Sequence, residues 1–168
     1  MRLPLAVLAT VLGASAWAQG LAPLEPGASV AFLGLHFIDT STEGAINGAR
    51  PDETARLALL EDEVRQRVLD EGFTLADLAP VAEELARTRN PADCNGCDVR
   101  MAAELGADYA LVGEVQKVSN LILSMNLALT EVEGERLVRM LAVDIRGNTD
   151  ESWLRGGRYI LDNHVFRD

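Results

Sequence analysis

The alternation of side chains between Leu121 and Thr130 constrains the fold of this chain more than any other feature. Every second residue from Leu121 to Leu129 is Leu or Met, and the residues between them are mostly polar or small. Successive side chains of a strand point to opposite faces, so this period of two predicts a strand with one buried face. A helix would scatter the same apolar side chains around its whole circumference.

Two further apolar segments flank this strand, at Tyr109 to Val118 and at Leu137 to Ile145. The turns that connect them, Ser119-Asn120 and Glu133-Gly134, are short. Short turns join strands that run antiparallel, because parallel strands need a long crossover connection. We therefore expect a three-stranded antiparallel meander in the C-terminal half of the chain.

The remaining segments mostly have a helical period. Four helices are expected: Pro51 to about Gly72, Leu78 to Thr88, Val99 to Gly106, and a last helix capped by Asn148 or Thr149. Each stretch combines apolar residues at helical spacing with a start or stop signal such as Pro, Gly or a capping side chain.

Two more strands complete the expected sheet. Ala28 to Ile38 is a continuous apolar run, and Phe73 to Leu75 is a short candidate strand. The segment from Asp39 to Arg50 is rich in Gly, Ser, Thr and Asn, and we predict a loop there. The order predicts one α+β domain over residues 28–168, with a mixed sheet of four to five strands packed by three to four helices.

The N-terminus predicts export. Arg2 precedes a short apolar stretch, and small residues occupy positions 16 and 18, as in a secretory signal peptide cleaved after Ala18. Residues 1–18 are therefore predicted to be the signal peptide, and 19–27, with two Pro and two Gly, a flexible tether. We expect a periplasmic protein with no membrane span, and with no lipid anchor because no Cys follows the cleavage site.

The charge balance argues against some partners. The chain has 15 Lys and Arg against 26 Asp and Glu, a formal net charge of −11. Nucleic acids and anionic membranes attract basic proteins, so we expect neither as a partner. The two histidines, His36 and His164, have no visible catalytic partner, and we predict a core imidazole for His36 and a solvated one for His164. No cofactor is predicted.

The two cysteines form a C-x-x-C pair, Cys94 and Cys97. Haem c attachment would need His at position 98, which is Asp98, and a zinc site would need further ligands to converge. A structural disulfide and a thiol-redox pair both remain open. A following helix would lower a thiol pKa, whereas the acids that flank the motif would raise it. We favour a disulfide that shapes the loop.

Polar residues crowd the junction between the last strand and the last helix. These are Asp144, Arg146, Asn148, Asp150 and Glu151. Such oxygen ligands suit Ca²⁺, but their spacing is not that of an EF-hand, and we favour a helix cap with one ion pair. Lys117 and Asn120 would join this polar cluster if the sheet brings their turn to the same end. Trp153 is expected to be a core or groove aromatic.

One segment resembles a known group of envelope proteins. Gly106 to Gly113, with the sequence GADYALVG, carries a helix end into a strand. It is similar to a segment of the curli secretion channel protein, the lipoprotein activators of penicillin-binding proteins and the N-terminal domain of the Tol–Pal propeller protein. The resemblance implies a small α/β fold that binds other envelope proteins and does not catalyse a reaction.

A second resemblance covers nearly all of the chain after the signal peptide. Asp93 to Cys97, Val115 to Leu123 and Asp144 to Trp153 resemble segments of an uncharacterised proteobacterial family of exported proteins, a domain of unknown function. This family brings no established site residues. The resemblance implies an association with a periplasmic quinoprotein alcohol oxidation system.

Three functions follow as hypotheses. The first is a non-enzymatic periplasmic accessory protein that binds another envelope protein, with no catalytic residues. The second is a thiol–disulfide redox protein that uses Cys94 and Cys97, for which a reduction potential well below about −300 mV would be contrary evidence. The third is a metal-binding protein that uses Asp144, Asp150 and Glu151.

Overall fold

The computed structural model describes residues 23–167, which are built around one sheet. Its strands are β1 (Ser29–Asp39), β2 (Thr74–Leu75), β3 (Tyr109–Ser119), β4 (Ile122–Glu131) and β5 (Arg136–Arg146). They lie in the order β2-β1-β3-β4-β5, with β1 parallel to both β2 and β3. The pairs β3–β4 and β4–β5 are antiparallel, so the predicted meander and the mixed sheet are confirmed.

Five α-helices accompany the sheet in the described residues. They are α1 (Thr42–Asn47), α2 (Pro51–Asp70), α3 (Ala82–Arg87), α4 (Cys97–Glu104) and α5 (Asp150–Ile160). Shorter helical turns cover Ala79–Val81, Pro91–Asp93 and Leu161–Val165. Thr149 caps α5 through a reciprocal pair of hydrogen bonds with Ser152. The predicted α+β class is confirmed.

The segment from Asp39 to Arg50 differs from its prediction, because α1 lies within the expected loop. The Ser41 hydroxyl caps this helix by accepting a hydrogen bond from the Gly44 N–H at 3.0 Å. Asp39 in turn accepts hydrogen bonds from the N–H and hydroxyl of Ser41. A helix of six residues is too short to show an apolar period, so the sequence displayed only its turn-forming residues.

One face of the sheet is covered by helices and carries the main apolar core. The helices α2 and α5 pack on it, and the stripe predicted for α2 is buried at Leu60, Val64 and Val68. Trp153 of α5 is 0% exposed, which confirms its expected place in the core. Its ring lies 5.6 Å from that of Phe37 on β1.

The other face of the sheet is covered over only part of its area. A second apolar core lies there between α4 and the first halves of β1 and β3. A bulge at Gly34, where φ is +95°, shifts the register of β1. After the bulge Leu35 and Phe37 point to the covered face, and His36 points to the other. His36 is therefore only partly buried, and its predicted place in the core is wrong.

Gly113 allows β3 and β4 to approach each other closely. A Cβ atom at this position would lie 2.4 Å from the Asn126 carbonyl oxygen and 2.6 Å from Leu127 Cδ2. We expect Gly113→Ala to lower the free energy of unfolding by about 1–3 kcal/mol, because the backbone contact has no room to yield. Urea denaturation measures this, with Gly134→Ala as the matched control. The nearest atom to a Cβ at Gly134 is the flexible Glu131 carboxylate at 3.2 Å, so equal effects would contradict the argument.

The start of the described chain contacts the domain. Residues 1–18 and 19–22 lie outside the described residues, so the signal peptide and its cleavage site stay predictions. Within the expected tether, Leu24 packs against the main core, and the Glu25 N–H donates to the Tyr109 hydroxyl at 3.3 Å. Within residues 23–167, no helix has the length and apolar character needed to cross a membrane.

Candidate functional site

Lys117, the only lysine of the chain, has a fully buried side chain. Its ammonium lies 2.7 Å from Glu53 Oε1, 3.2 Å from Asp39 Oδ2 and 3.7 Å from Glu43 Oε2. Glu53 is itself 1% exposed. Buried charges require partners of opposite sign, and this ammonium has three carboxylates around it. We call Asp39, Glu43, Glu53 and Lys117 the lysine cluster.

The topology gathers the lysine cluster at one edge of the sheet. Since β1 and β3 are parallel, Asp39 at the end of β1 pairs in register with Lys117 near the end of β3. Glu43 comes from α1, and Glu53 comes from the first turn of α2, which begins at Pro51. The cluster therefore fixes both helix starts to the sheet.

A second layer of polar contacts joins the lysine cluster to α5. The Asn148 amide donates to Glu53 Oε1 at 2.7 Å, and its oxygen accepts from Trp153 Nε1 at 2.9 Å. Arg56 of α2 donates to the same Asn148 oxygen at 3.0 Å and pairs with Asp150 at 2.8 Å. The start of α5 is thereby tied to the start of α2.

The polar cluster expected from the sequence is assembled only in part. Lys117, Asn120, Asn148, Asp150 and Trp153 all enter this network, and Asn120 does so by donating to Glu43. As the prediction for Lys117 and Asn120 required, the sheet brings these two residues to the same end as Asn148. Asp144 and Arg146 are instead exposed on β5, and Glu151 faces Arg155 at 3.5 Å.

Four residues of the network were absent from the sequence-based prediction: Asp39, Glu43, Glu53 and Arg56. Asp39 and Glu43 belong to the segment expected to be a loop, and Glu53 has the residue type of a first-turn acid that favours the helix dipole. A usable signal was the register of β3. Lys117 follows Val115 by two residues, which places its side chain on the buried face of the strand.

The pKa values of Lys117 and Asp39 are both shifted within the lysine cluster. Burial works to lower the pKa of Lys117, but hydrogen bonds to Glu53 and Asp39 raise that pKa above its ordinary value. Burial likewise works to raise the pKa of Asp39, but Ser41 and Lys117 hold that pKa below its ordinary value. Both shifts lead away from neutrality, where a general acid or base should titrate, so the cluster has the character of a structural ion pair.

The carboxylates of the hypothetical metal site do not converge. Asp150 pairs with Arg56 and Glu151 with Arg155, while Asp144 lies exposed on β5. In the part of the chain that the structure describes, no group of three or more His, Cys, Asp or Glu residues is arranged to hold a metal ion.

Cys94 and Cys97 form the expected disulfide, with the sulfur atoms 2.01 Å apart. Cys97 is the first residue of α4, is 5% exposed and belongs to the second apolar core with Met101. Cys94 lies in the wall of a cleft of about 730 Å³, which His36 and Arg89 also line. The disulfide therefore joins the loop at Cys94 to the buried start of α4 at Cys97.

The uncovered part of the second sheet face forms a continuous surface, which we call the open face. It comprises His36, Ile38, Glu114, Gln116, Ser124, Asn126, Leu137, Met140, Ala142 and Asp144, none of which is buried. The Glu114 carboxylate is held in place by the amides of Asn90 at 2.6 Å and Asn126 at 3.1 Å. Leu137 and Met140, two strands away on β5, are 53% and 52% exposed.

Comparison with protein families identifies the domain. The model of the DUF3280 family, described as a protein of unknown function (DUF2380), matches residues 28–165. The chain belongs to this family. The expected membership in a family of unknown function is thus confirmed. The disulfide, the lysine cluster and the open face all lie inside the DUF3280 domain. Among curated proteins, none matches the chain.

Solved structures share the fold at low sequence identity. The LpoB C-terminal domain from Salmonella enterica has a TM-score of 0.53 and 15% identity, over 73% of this chain and 85% of that one. Lipoprotein GNA1162 from Neisseria meningitidis has a TM-score of 0.51 and 14% identity, over 73% of this chain and 83% of that one. The PelC dodecamer from Paraburkholderia phytofirmans has a TM-score of 0.51 and 13% identity, over 85% of this chain and 93% of that one. The expected distant similarity to this group of proteins is confirmed at the level of the fold.

Proposed function

We propose that this protein is a non-enzymatic accessory protein of the periplasm that acts by binding another envelope protein. The observation that carries the proposal is the open face. It carries the half-exposed Leu137 and Met140 on β5 and a polar region at Glu114 and Asn126 on the two neighbouring strands. Exposed apolar side chains rimmed by polar ones are typical of a protein-binding surface.

Two further observations support a binding role over a catalytic one. Lys117 and Asp39 of the lysine cluster form an ion pair, and the pKa shifts of both groups lead away from neutral pH. Proteins with the same fold include one described as a lipoprotein and one described as a dodecamer, so this fold serves proteins of the envelope and of assemblies. The predicted signal peptide supplies the periplasmic location.

Site-specific photo-cross-linking tests the proposal. A photo-reactive amino acid at Gln116, which is exposed on the open face, is expected to form an adduct with another envelope protein in living cells. Leu69 is the matched control, because it is 49% exposed on α2, which packs on the opposite face of the sheet. No adduct, or the same adducts from both positions, would count against binding through the open face.

The disulfide provides a second arm of this experiment. If the cysteine pair is a clamp, Cys94→Ser/Cys97→Ser should retain the Gln116 adduct. A partner trapped as a mixed disulfide in the native protein, and lost in the double variant, would instead establish the redox function. Recovery of a quinoprotein alcohol dehydrogenase in the adduct would support the association implied by the family resemblance.

A further inference from the structure

The outer edge of β5 is an unpaired strand edge. In the strand order, β5 has β4 on one side and no strand on the other. Apart from β4, no segment within residues 23–167 forms a backbone hydrogen bond with Met140 to Arg146. Its N–H and C=O groups on that side are free to accept another strand.

Only the first part of β5 is protected against strand addition. A bulge at Val138 and the inward-pointing Arg139, which is 3% exposed, disrupt the edge there. Bulges and inward charges are devices by which proteins block edge pairing. From Met140 to Arg146 the register with β4 is regular, and this stretch has no proline, lysine or bulge.

A groove runs beside this regular stretch. It has a volume of about 450 Å³ and lies between β5 and α5, with Val143, Ile145 and the half-exposed Tyr159 among its walls. A strand added to β5 would place alternate side chains into this groove. The apolar walls suit apolar side chains at those positions.

The charge of the groove is opposite to that of the whole protein. Arg155 lines the groove from α5, and Arg146 borders it at the end of β5, on the sheet face that also carries the single acid Asp144, although the chain carries a net charge of −11. Arg146 forms no ion pair or side-chain hydrogen bond within residues 23–167, and Arg155 has only a solvent-exposed contact with Glu151 at 3.5 Å. An exposed contact of this kind is weak, so both guanidinium groups are available to a ligand.

We infer that the β5 edge from Met140 to Arg146, with the adjoining groove, binds an extended peptide segment that carries an acidic side chain. The peptide adds as a sixth strand of the sheet, with an apolar side chain in the groove and its carboxylate on Arg146 or Arg155. This inference rests on the proposed binding function, for which it specifies the chemistry of the partner.

Selection from a random seven-residue peptide display library tests the inference with the mature protein. We expect the recovered peptides to be enriched in strand-forming residues and to carry Asp or Glu. Replacing that acid by its amide in a recovered peptide should weaken binding by about two- to fivefold, which is the range typical of an exposed ion pair. Hydrogen exchange should slow at the amides of Met140 to Arg146 when the peptide binds.

Charge reversal supplies the control. Selection on Arg146→Glu/Arg155→Glu should recover basic peptides, whereas Arg87→Glu/Arg100→Glu, which changes the net charge equally on α3 and α4, should still recover acidic ones. Recovery of no binding peptide, or of peptides whose charge does not follow the reversal, would overturn the inference. An adduct at Gln116 without peptide binding would contradict this inference but not the proposed accessory function. Peptide binding without that adduct would contradict only the proposed role of the open face.

Discussion

Replacing Lys117 with methionine is expected to lower the free energy of unfolding by about 3–5 kcal/mol, which is the usual cost of removing one partner from a buried ion pair. The substitution keeps most of the side-chain volume, so the loss comes from charge and not from a cavity. Glu53, at 1% exposure, and Asp39 would then be negative charges without the ammonium that neutralises them. Urea denaturation followed by circular dichroism measures the change.

A double variant separates the charge effect from a packing effect. Lys117→Met/Glu53→Gln removes the uncompensated Glu53 carboxylate as well, and it should be more stable than Lys117→Met alone. The Asn148 amide already donates to Glu53 Oε1, so the neutral Gln side chain can still accept that hydrogen bond. If the double variant is less stable than the single one, the lysine cluster is not held by an ion pair.

The stability difference between the native protein and Lys117→Met should depend on pH. The pKa of Lys117 is raised, so its contribution is full below the unfolded-state pKa of about 10.4 and is lost as pH rises through the folded pKa. The pKa of Asp39 is lowered, so its contribution is present above about 3.9 and is lost as pH falls through the folded pKa. The difference should be constant between about pH 5 and 9 and shrink on both sides.

Replacing Trp153 with alanine is expected to cost about 3–5 kcal/mol of unfolding free energy, because it removes a large, fully buried side chain from between α5 and the sheet. The indole ring packs on Phe37, and its N–H donates to Asn148, which also contacts Glu53 and Arg56. The loss would therefore reach both the apolar core and the polar network. Thermal unfolding followed by circular dichroism measures it.

Trp153→Phe is the matched control for this substitution. It keeps an aromatic ring against Phe37 and removes the indole N–H together with the smaller part of the buried ring system, while Asn148 Oδ1 retains the hydrogen bond from Arg56. We expect this variant to lose a smaller part of the stability, about 1–2 kcal/mol. Equal losses for the two variants would mean that the hydrogen bond, and not the packing of the ring, positions α5.

Most of the fold followed from short-range patterns. The period of two in β4, the short turns on either side and the continuous apolar run of β3 were enough to predict the meander. The start of α2 at Pro51 was also visible, because Pro at the first helical position is a local signal. Helix α1 was missed because its stability comes from the cap at Ser41, which Asp39 positions.

The polar network was harder to predict, since its members are far apart in the chain. The sequence indicated that Lys117, Asn120 and Asn148 would meet if their end of the sheet were shared. It did not indicate which acid would face the lysine. Asp52 and Glu53 are neighbours of similar chemistry, but only Glu53 turns inward, because the helix rotates successive side chains by about 100°.

The sequence by itself determined where most strands and helices form, through their apolar periods, and it allowed a local disulfide through the cysteine spacing. It also carries an export signal, which remains a prediction. These are properties of neighbouring residues, set by backbone geometry and turn chemistry. The tertiary structure alone decided that Lys117 pairs with Glu53 across 64 positions and that Asn148 reaches Glu53 across 95. It also decided which part of the sheet stays open, because burial depends on which distant elements pack together and not on the residue alone.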